Sequence, residues 1–76
     1  MEKVQVEVQY KILWSKKKTE SVEIVKGSTV ADLLQYISFK ENLEHLLMVY
    51  NGKIVFPHDT ITENGQLVLI SALIGG

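Results

Sequence analysis

The chain is 76 residues long, with 8 lysines, 9 acidic residues, no arginine and a formal net charge of -1. A domain of this size buries roughly 60% of its unfolded surface, which leaves one modest core and little room for a deep catalytic pocket. The absence of cysteine excludes disulfide staples, zinc–thiolate and iron–sulfur centres and any thiol nucleophile, and the near-neutral charge argues against a nucleic-acid binder.

The chain enters an alternating pattern at once, with no apolar signal segment, and its longest apolar run, Leu46 to Tyr50, is far too short to span a membrane. A soluble, cytoplasmic protein is expected, with neither membrane nor direct nucleic-acid contacts. From Val4 to Trp14 every even position is apolar and most odd ones are polar. Period two cannot be sorted onto one face of a helix, so this is a strand with one wet face. Lys16-Lys17-Lys18 lies in the polar connection that follows and reads as a solvated hairpin tip. Glu20 to Val25 alternates again, with Val22 and Ile24 in phase, and predicts an antiparallel hairpin with the first strand.

Gly27-Ser28 breaks the second strand. Thr29-Val30-Ala31-Asp32 has the pattern of a capping box, in which the Thr29 hydroxyl takes the Asp32 amide and the Asp32 carboxylate takes the Thr29 amide. Val30, Leu33, Leu34 and Ile37 then fall on one helical stripe, predicting a helix from about Val30 to Ile37 that lies across the apolar face of the sheet. Residues 38–45 give no clear pattern. Leu46 to Tyr50 fits a buried strand, and Asn51-Gly52 is a strong two-residue hairpin turn. Lys53 to Phe56 is the expected return strand, ended by Pro57. Asp59 to Thr62 reads as a single helical turn, capped by Asp59 or Thr60, with Ile61 plugging the core. Asn64-Gly65 turns the chain into Gln66 to Ala72, a strand apolar on both faces over Leu67 to Ile70 and therefore expected at the centre of the sheet.

This order predicts an α+β roll: a mixed sheet of four to five strands with one main helix packed across it. The last strand pairs in parallel with the first through a right-handed crossover. Residues 1–72 form the domain and 73–76 a flexible tail. That tail, Leu73-Ile74-Gly75-Gly76, carries the functional argument. Two glycines add nothing to a core and lose the most backbone entropy when ordered. Their physical value is thinness, because such an end enters a channel too narrow for a Cβ and delivers its carboxylate to a remote active site. The plainer reading is a frayed end.

The first hairpin, the helix opening Thr29-Val30-Ala31-Asp32-Leu33-Leu34, the Asn51-Gly52-Lys53 turn and Thr60 to Ile70 running into Gly75-Gly76 together resemble the ubiquitin-like β-grasp sulfur carriers, the family of ThiS and MoaD. The resemblance covers nearly the whole chain. The family's Leu-x-Asp-Gly-Asp type of turn corresponds to Ile61-Thr62-Glu63-Asn64-Gly65-Gln66, where the glycine is kept and the acidic character is shifted. The Ile74-Gly75-Gly76 ending is closer to the thiamine-type carriers and the long first hairpin closer to the molybdopterin type.

The resemblance implies a carrier rather than an enzyme. A ubiquitin-activating-type adenylyltransferase, using its own ATP and magnesium, would convert the Gly76 carboxylate to an acyl adenylate. A sulfur donor enzyme would then leave a thiocarboxylate, which passes sulfur on in thiamine, molybdopterin/tungstopterin or tRNA-thiolation pathways. A synthase large subunit or a thiazole synthase is the implied downstream partner. No cofactor or metal is expected on this chain. Gly75 and Gly76 are the reactive end, and Val49, Val68, Ile70, Leu73 and Ile74 are the expected partner-binding residues, since Leu67 and Leu69 facing the helix would turn Val68 and Ile70 outward. An apolar pair that merely strengthens the sheet is the plainer account of that patch. The alternative function is a ubiquitin-like modifier joined through Gly76 to target lysines; a plain interaction domain is a third. His45 and His58 are too far apart in sequence to read as a metal motif, and Glu41 and Glu44 read as solvated surface.

Overall fold

The computed structural model describes residues 1–11, 19–37 and 46–71. The expected features at Trp14, Lys16 to Lys18, Glu41, Glu44 and His45 lie outside the described residues. Strand β1 runs over Lys3–Lys11, β2 over Thr19–Val25, helix α1 over Val30–Tyr36, β3 over Leu46–Tyr50, β4 over Lys53–Val55 and β5 over Gly65–Ser71. They form a five-stranded mixed sheet in the order β2-β1-β5-β3-β4. The two-sided apolar strand is thus central: β5 pairs in parallel with β1 (Val8 opposite Leu67) and antiparallel with β3 (Val49 opposite Val68).

One face of the sheet is closed by α1. Val4, Val6 and Val8 of β1, Val22 and Ile24 of β2, Met48 and Tyr50 of β3, and Leu67 and Leu69 of β5 are buried against Val30, Leu33 and Leu34. The helix is seven residues long, too short to persist alone in water, so this packing holds it. Its first turn is fully satisfied. Thr29 Oγ1 accepts from the Asp32 amide and Asp32 Oδ2 from the Thr29 amide, both at 3.1 Å. The Val30 and Ala31 amides donate to the Asp59 and Pro57 carbonyls, both at 2.9 Å.

Those last two bonds explain a correction. Residues 59–62 do not form a helical turn. Instead Phe56 and Asp59 close a turn, with the Phe56 amide donating to Asp59 Oδ2 at 2.6 Å and the Asp59 amide to the Phe56 carbonyl at 3.0 Å. Thr60 then forms an isolated antiparallel bridge with Thr29. The Ile61 amide donates to the Ser28 carbonyl at 2.7 Å, and the Ile61 carbonyl accepts from Gly27 at 2.8 Å. The segment spends its carbonyls on the start of α1 and on the 27–29 connector, which a helical turn of its own would prevent. Ile61 still plugs the core, at 2% exposure. The same turn ends β4 at Val55, one residue before the expected Phe56.

The two Asn-Gly pairs differ in use. Asn51 and Gly52 adopt φ of 50° and 85°, the left-handed pair that a tight hairpin turn requires. Gly65 has no positive φ, and a Cβ there would lie within 2.2 Å of the Asn51 side chain. That side chain bridges the two turns: its Oδ1 accepts from the Gln66 amide at 3.0 Å and its Nδ2 donates to the Asn64 carbonyl at 3.3 Å. Asn64 Oδ1 in turn accepts from the Gln5 amide at 2.8 Å. The start of β5 is thereby tied to both of its neighbouring strands.

Candidate functional site

Successive residues of a strand face opposite sides of the sheet. In β5, Leu67 and Leu69 are wholly buried under the helix, so Val68 and Ile70 stand on the uncovered face, where both are half-buried. The ladder places Val49 opposite Val68 and Leu47 opposite Ile70, and the β3–β4 hairpin places Ile54 opposite Val49. Val49, Val68 and Ile70 therefore come together, and Leu47 and Ile54 extend them into one aliphatic strip across β5, β3 and β4. Leu47 is 38% exposed and Ile54 60% exposed, so the outer part of the strip is its most accessible part.

Leu47 and Ile54 are not among the residues expected from the sequence. The signal was nonetheless present: a two-residue Asn51-Gly52 turn fixes Tyr50 opposite Lys53 and hence Val49 opposite Ile54. Leu47 is two residues from Val49 and shares its face.

The other half of the uncovered face is different. Gln9 and Lys11 of β1 pair beside Val68 and Ile70. A shallow depression of about 400 Å³ further along β1 and β2 is lined largely by polar side chains, among them Gln5, Glu7, Ser21, Glu23 and Asn64. Its carboxylates lack a histidine or other base–nucleophile pairing, so the depression offers no constellation for acid–base or covalent chemistry. Among the described residues no cluster of three or more His, Asp or Glu could hold a metal ion. No helix among them is long and apolar enough to cross a membrane.

Among the described residues, the two titratable groups that are clearly perturbed are structural. Burial raises the Tyr10 hydroxyl well above its ordinary value, and its 2.8 Å hydrogen bond to Glu20 and that carboxylate's charge push the same way. Tyr50 is raised by burial and then by the charge of Glu63, and its hydroxyl donates to the Glu63 carbonyl at 2.5 Å. Both hydroxyls are held protonated and act as hydrogen-bond donors. His58 stacks on Phe56 with ring centroids 6.0 Å apart and lies 3.9 Å from Asp59.

The expected reactive end, Gly75 and Gly76, and the flanking Leu73 and Ile74 lie outside the described residues. What the fold places is their point of departure. Strand β5 ends at Ser71, paired with Leu46, directly after the Leu47–Ile70 pair of the strip. The five residues from Ala72 to Gly76 would reach at most about 17 Å if fully extended. The aliphatic strip thus adjoins the exit of the chain's last segment.

No curated protein sequence matched. Among solved structures, the chain is similar to a Pyrococcus furiosus protein described as subunit 1 of a molybdopterin converting factor, with 20% identity and a TM-score of 0.74 over 92% of this chain and 99% of that one. It is similar to SAMP1 from Haloferax volcanii, with 18% identity and a TM-score of 0.73 over 95% and 99% of the two chains. It is also similar to a ubiquitin from Caldiarchaeum subterraneum, with 15% identity and a TM-score of 0.69 over 99% and 100%. At these identities the likenesses establish the β-grasp fold. The family profile described as the ThiS family matches residues 4–76, so the chain belongs to that family of sulfur carriers.

Proposed function

We propose that the carrier works through its terminal carboxylate at Gly76. A partner adenylyltransferase would bind the chain, and the carboxylate oxygen would attack the α-phosphorus of ATP, with pyrophosphate leaving. The terminal sulfur of a donor enzyme's persulfide would displace AMP from the acyl adenylate to give an acyl disulfide, and a thiol of the donor would then attack its S–S bond, leaving a Gly76 thiocarboxylate and a disulfide on the donor. The thiocarboxylate is a stronger nucleophile than the carboxylate and gives its sulfur to a cofactor precursor or a tRNA. The body contributes geometry: it docks as a rigid unit while residues 73–76 carry the reacting atom into the partner's site. ATP and magnesium belong to the activating partner, and a synthase large subunit or thiazole synthase would receive the sulfur. The reaction is placed in the cytoplasm, where the activating enzyme has its nucleotide.

The observation that carries this reading is the aliphatic strip on an otherwise polar face, ending beside the exit of β5. An exposed apolar strip rimmed by polar residues is the usual form of a protein-docking surface. Val49, Val68 and Ile70 form its centre, with Leu47 and Ile54 outside them, and Leu73 and Ile74 would continue it along the tail.

Intact-mass measurement of the protein from its native cells tests the proposal. The expected species carries one sulfur in place of one carboxylate oxygen, and removal of Gly76 abolishes ATP–pyrophosphate exchange by the activating enzyme while the fold is retained. Covalent adducts on lysines of other proteins, without thiocarboxylate, would replace this reading with that of a protein modifier. A native chain that continues beyond Gly76 and is never trimmed would remove the proposed reactive end.

A further inference from the structure

The sheet has two outer edges, and they are defended differently. Strand β4 is three residues long and is followed closely by Pro57. A short strand and a proline both discourage further pairing. Strand β2 is seven residues long and contains neither proline nor glycine.

The direction of its backbone groups follows from two bonds. Lys26 donates its amide to the Glu2 carbonyl at 2.9 Å, so the pairs that exchange hydrogen bonds between β1 and β2 are the even ones: Val4 with Ile24, Val6 with Val22 and Val8 with Glu20. Gln5, an odd residue of β1, turns its amide the other way, to Asn64. Opposite it, Glu23 must turn outward, as must Ser21 and Val25. The Val25 carbonyl is taken by the Ser28 amide at 3.0 Å. Among the described residues, the amides of Ser21, Glu23 and Val25 and the carbonyls of Ser21 and Glu23 therefore form an open row.

Alongside this row lies a groove of about 310 Å³ between β2 and α1. Ile24, Val25 and Tyr36 line it, with Val25 39% and Tyr36 66% exposed. Its charged groups are Lys3, Glu23 and Asp32. Lys3 and Glu23 are 3.9 Å apart, and Asp32 is the acid of the capping box, so the rim carries a net negative charge.

We propose that this edge and groove bind an extended segment of a partner protein, which adds to the sheet as a sixth strand beside β2. Alternating amides and carbonyls at strand spacing are matched only by another extended backbone, and the neighbouring groove supplies the side-chain selectivity that strand addition needs. The segment would place apolar side chains at alternate positions on the helix face, against Ile24 and Tyr36. Its intervening positions, on the face of Glu23 and Val25, would be polar or basic. The site lies at the opposite edge of the sheet from the Ile54 end of the aliphatic strip and does not involve the tail. A partner held here could stay bound while the terminal carboxylate is being processed. The proposal is independent of the chemistry at Gly76.

The test is amide-resolved NMR of the full chain titrated with the capped heptapeptide Lys-Val-Thr-Val-Thr-Val-Lys. Expected are shift changes confined to β2, Ser28, Asp32 and Tyr36, with slowed hydrogen exchange at Ser21, Glu23 and Val25. Ser21→Pro removes one outward amide that takes no part in the β1 ladder, so the fold should survive while peptide affinity falls at least about tenfold. Tyr36→Ala is expected to weaken binding several-fold, a loss that edge pairing alone would not give. Should Ser21→Pro disturb the fold, Glu23→Lys serves instead: it should weaken this peptide and favour one with glutamate at both ends. Absence of shifts at millimolar peptide, or shifts centred on Val68 and Ile70, would overturn the proposal. So would concentration-dependent shifts of β2 without peptide, which would identify a second copy of this chain as the occupant.

Discussion

Leu67 and Leu69 on one face of β5 are wholly buried, whereas Val68 and Ile70, interleaved with them, are only half-buried. The four are chemically alike and differ by a single step of the pleat. One row closes the core beneath α1; the other joins Leu47, Val49 and Ile54 on the uncovered face. A strand apolar on both sides usually signals burial on both sides. Here, among the described residues, only one side is covered, and the other is the surface proposed above for docking. The contrast teaches that burial under α1 uses only half of the central strand's apolar residues; on the proposal above, the other half serves docking rather than folding.

The sharpest way to break this comparison is to damage each row separately. Leu69→Ala should lower the unfolding free energy by about 3–4 kcal/mol, as for other leucines removed from a closed core. Urea denaturation measures that loss, and any fall in activation by the partner should match the loss of folded protein. Val68→Glu or Ile70→Glu should do the reverse. Their cost in stability is expected near 1 kcal/mol, while binding to the activating enzyme weakens by about 2–3 kcal/mol if the strip is the docking centre. Calorimetric titration against that enzyme reads the second number. Unchanged affinity in a normally folded Ile70→Glu protein would return the strip to a role in sheet strength alone.

The separation of the two rows depends on the register of β5, and the register is set at its start. Gly65→Ala should cost about 2 kcal/mol, because the new Cβ displaces the Asn51 side chain and forfeits its two bonds to Asn64 and Gln66. In an Asn51→Gly background the same substitution should cost much less, and that non-additivity is the signature to look for. Gly52→Ala should cost about 1 kcal/mol for a different reason: nothing stands near its Cβ, but its φ is 85°. Equal costs with no dependence on Asn51 would show that both glycines serve only as turn residues.

Most of this was legible in the residues. Strict alternation in Val4 to Val8, the capping box at Thr29 to Asp32 and the Asn51-Gly52 turn each have one dominant physical solution, and all three are found. The parallel central strand followed from handedness. The 59–62 segment misled because an acid and a threonine before an apolar residue are equally good as a helix cap and as partners for another segment's amides. The helix start beside it decides between them, and that neighbour is invisible to local pattern. Gly65 reads as a turn residue for the same reason, since the side chain that demands its thinness comes from Asn51, fourteen positions earlier. The strip was half legible: alternation in β5 gave Val68 and Ile70, but Leu47 and Ile54 needed the hairpin register to be carried across three strands.

The smallest effect concerns pH and again separates the faces. Tyr50 sits on the closed face opposite Leu67, and its hydroxyl, raised by burial and by Glu63, is a donor to the Glu63 carbonyl. Tyr10 is raised in the same direction. A tyrosine whose pKa is higher in the folded state keeps its proton longer there than in the unfolded chain. Above the unfolded value of about 10 the unfolded chain therefore binds fewer protons, and stability falls as pH rises. Below that pH these tyrosines contribute a constant amount. Tyr50→Phe should reduce stability near neutrality by about 1 kcal/mol through the lost hydrogen bond, and should flatten the alkaline decline. Denaturation curves at a series of pH values from neutrality upward, for the native chain and for Tyr50→Phe, make the comparison. Parallel curves would mean that Tyr50 ionises as freely in the folded state as in the unfolded one, and that the face beneath α1 is less closed than its burial indicates.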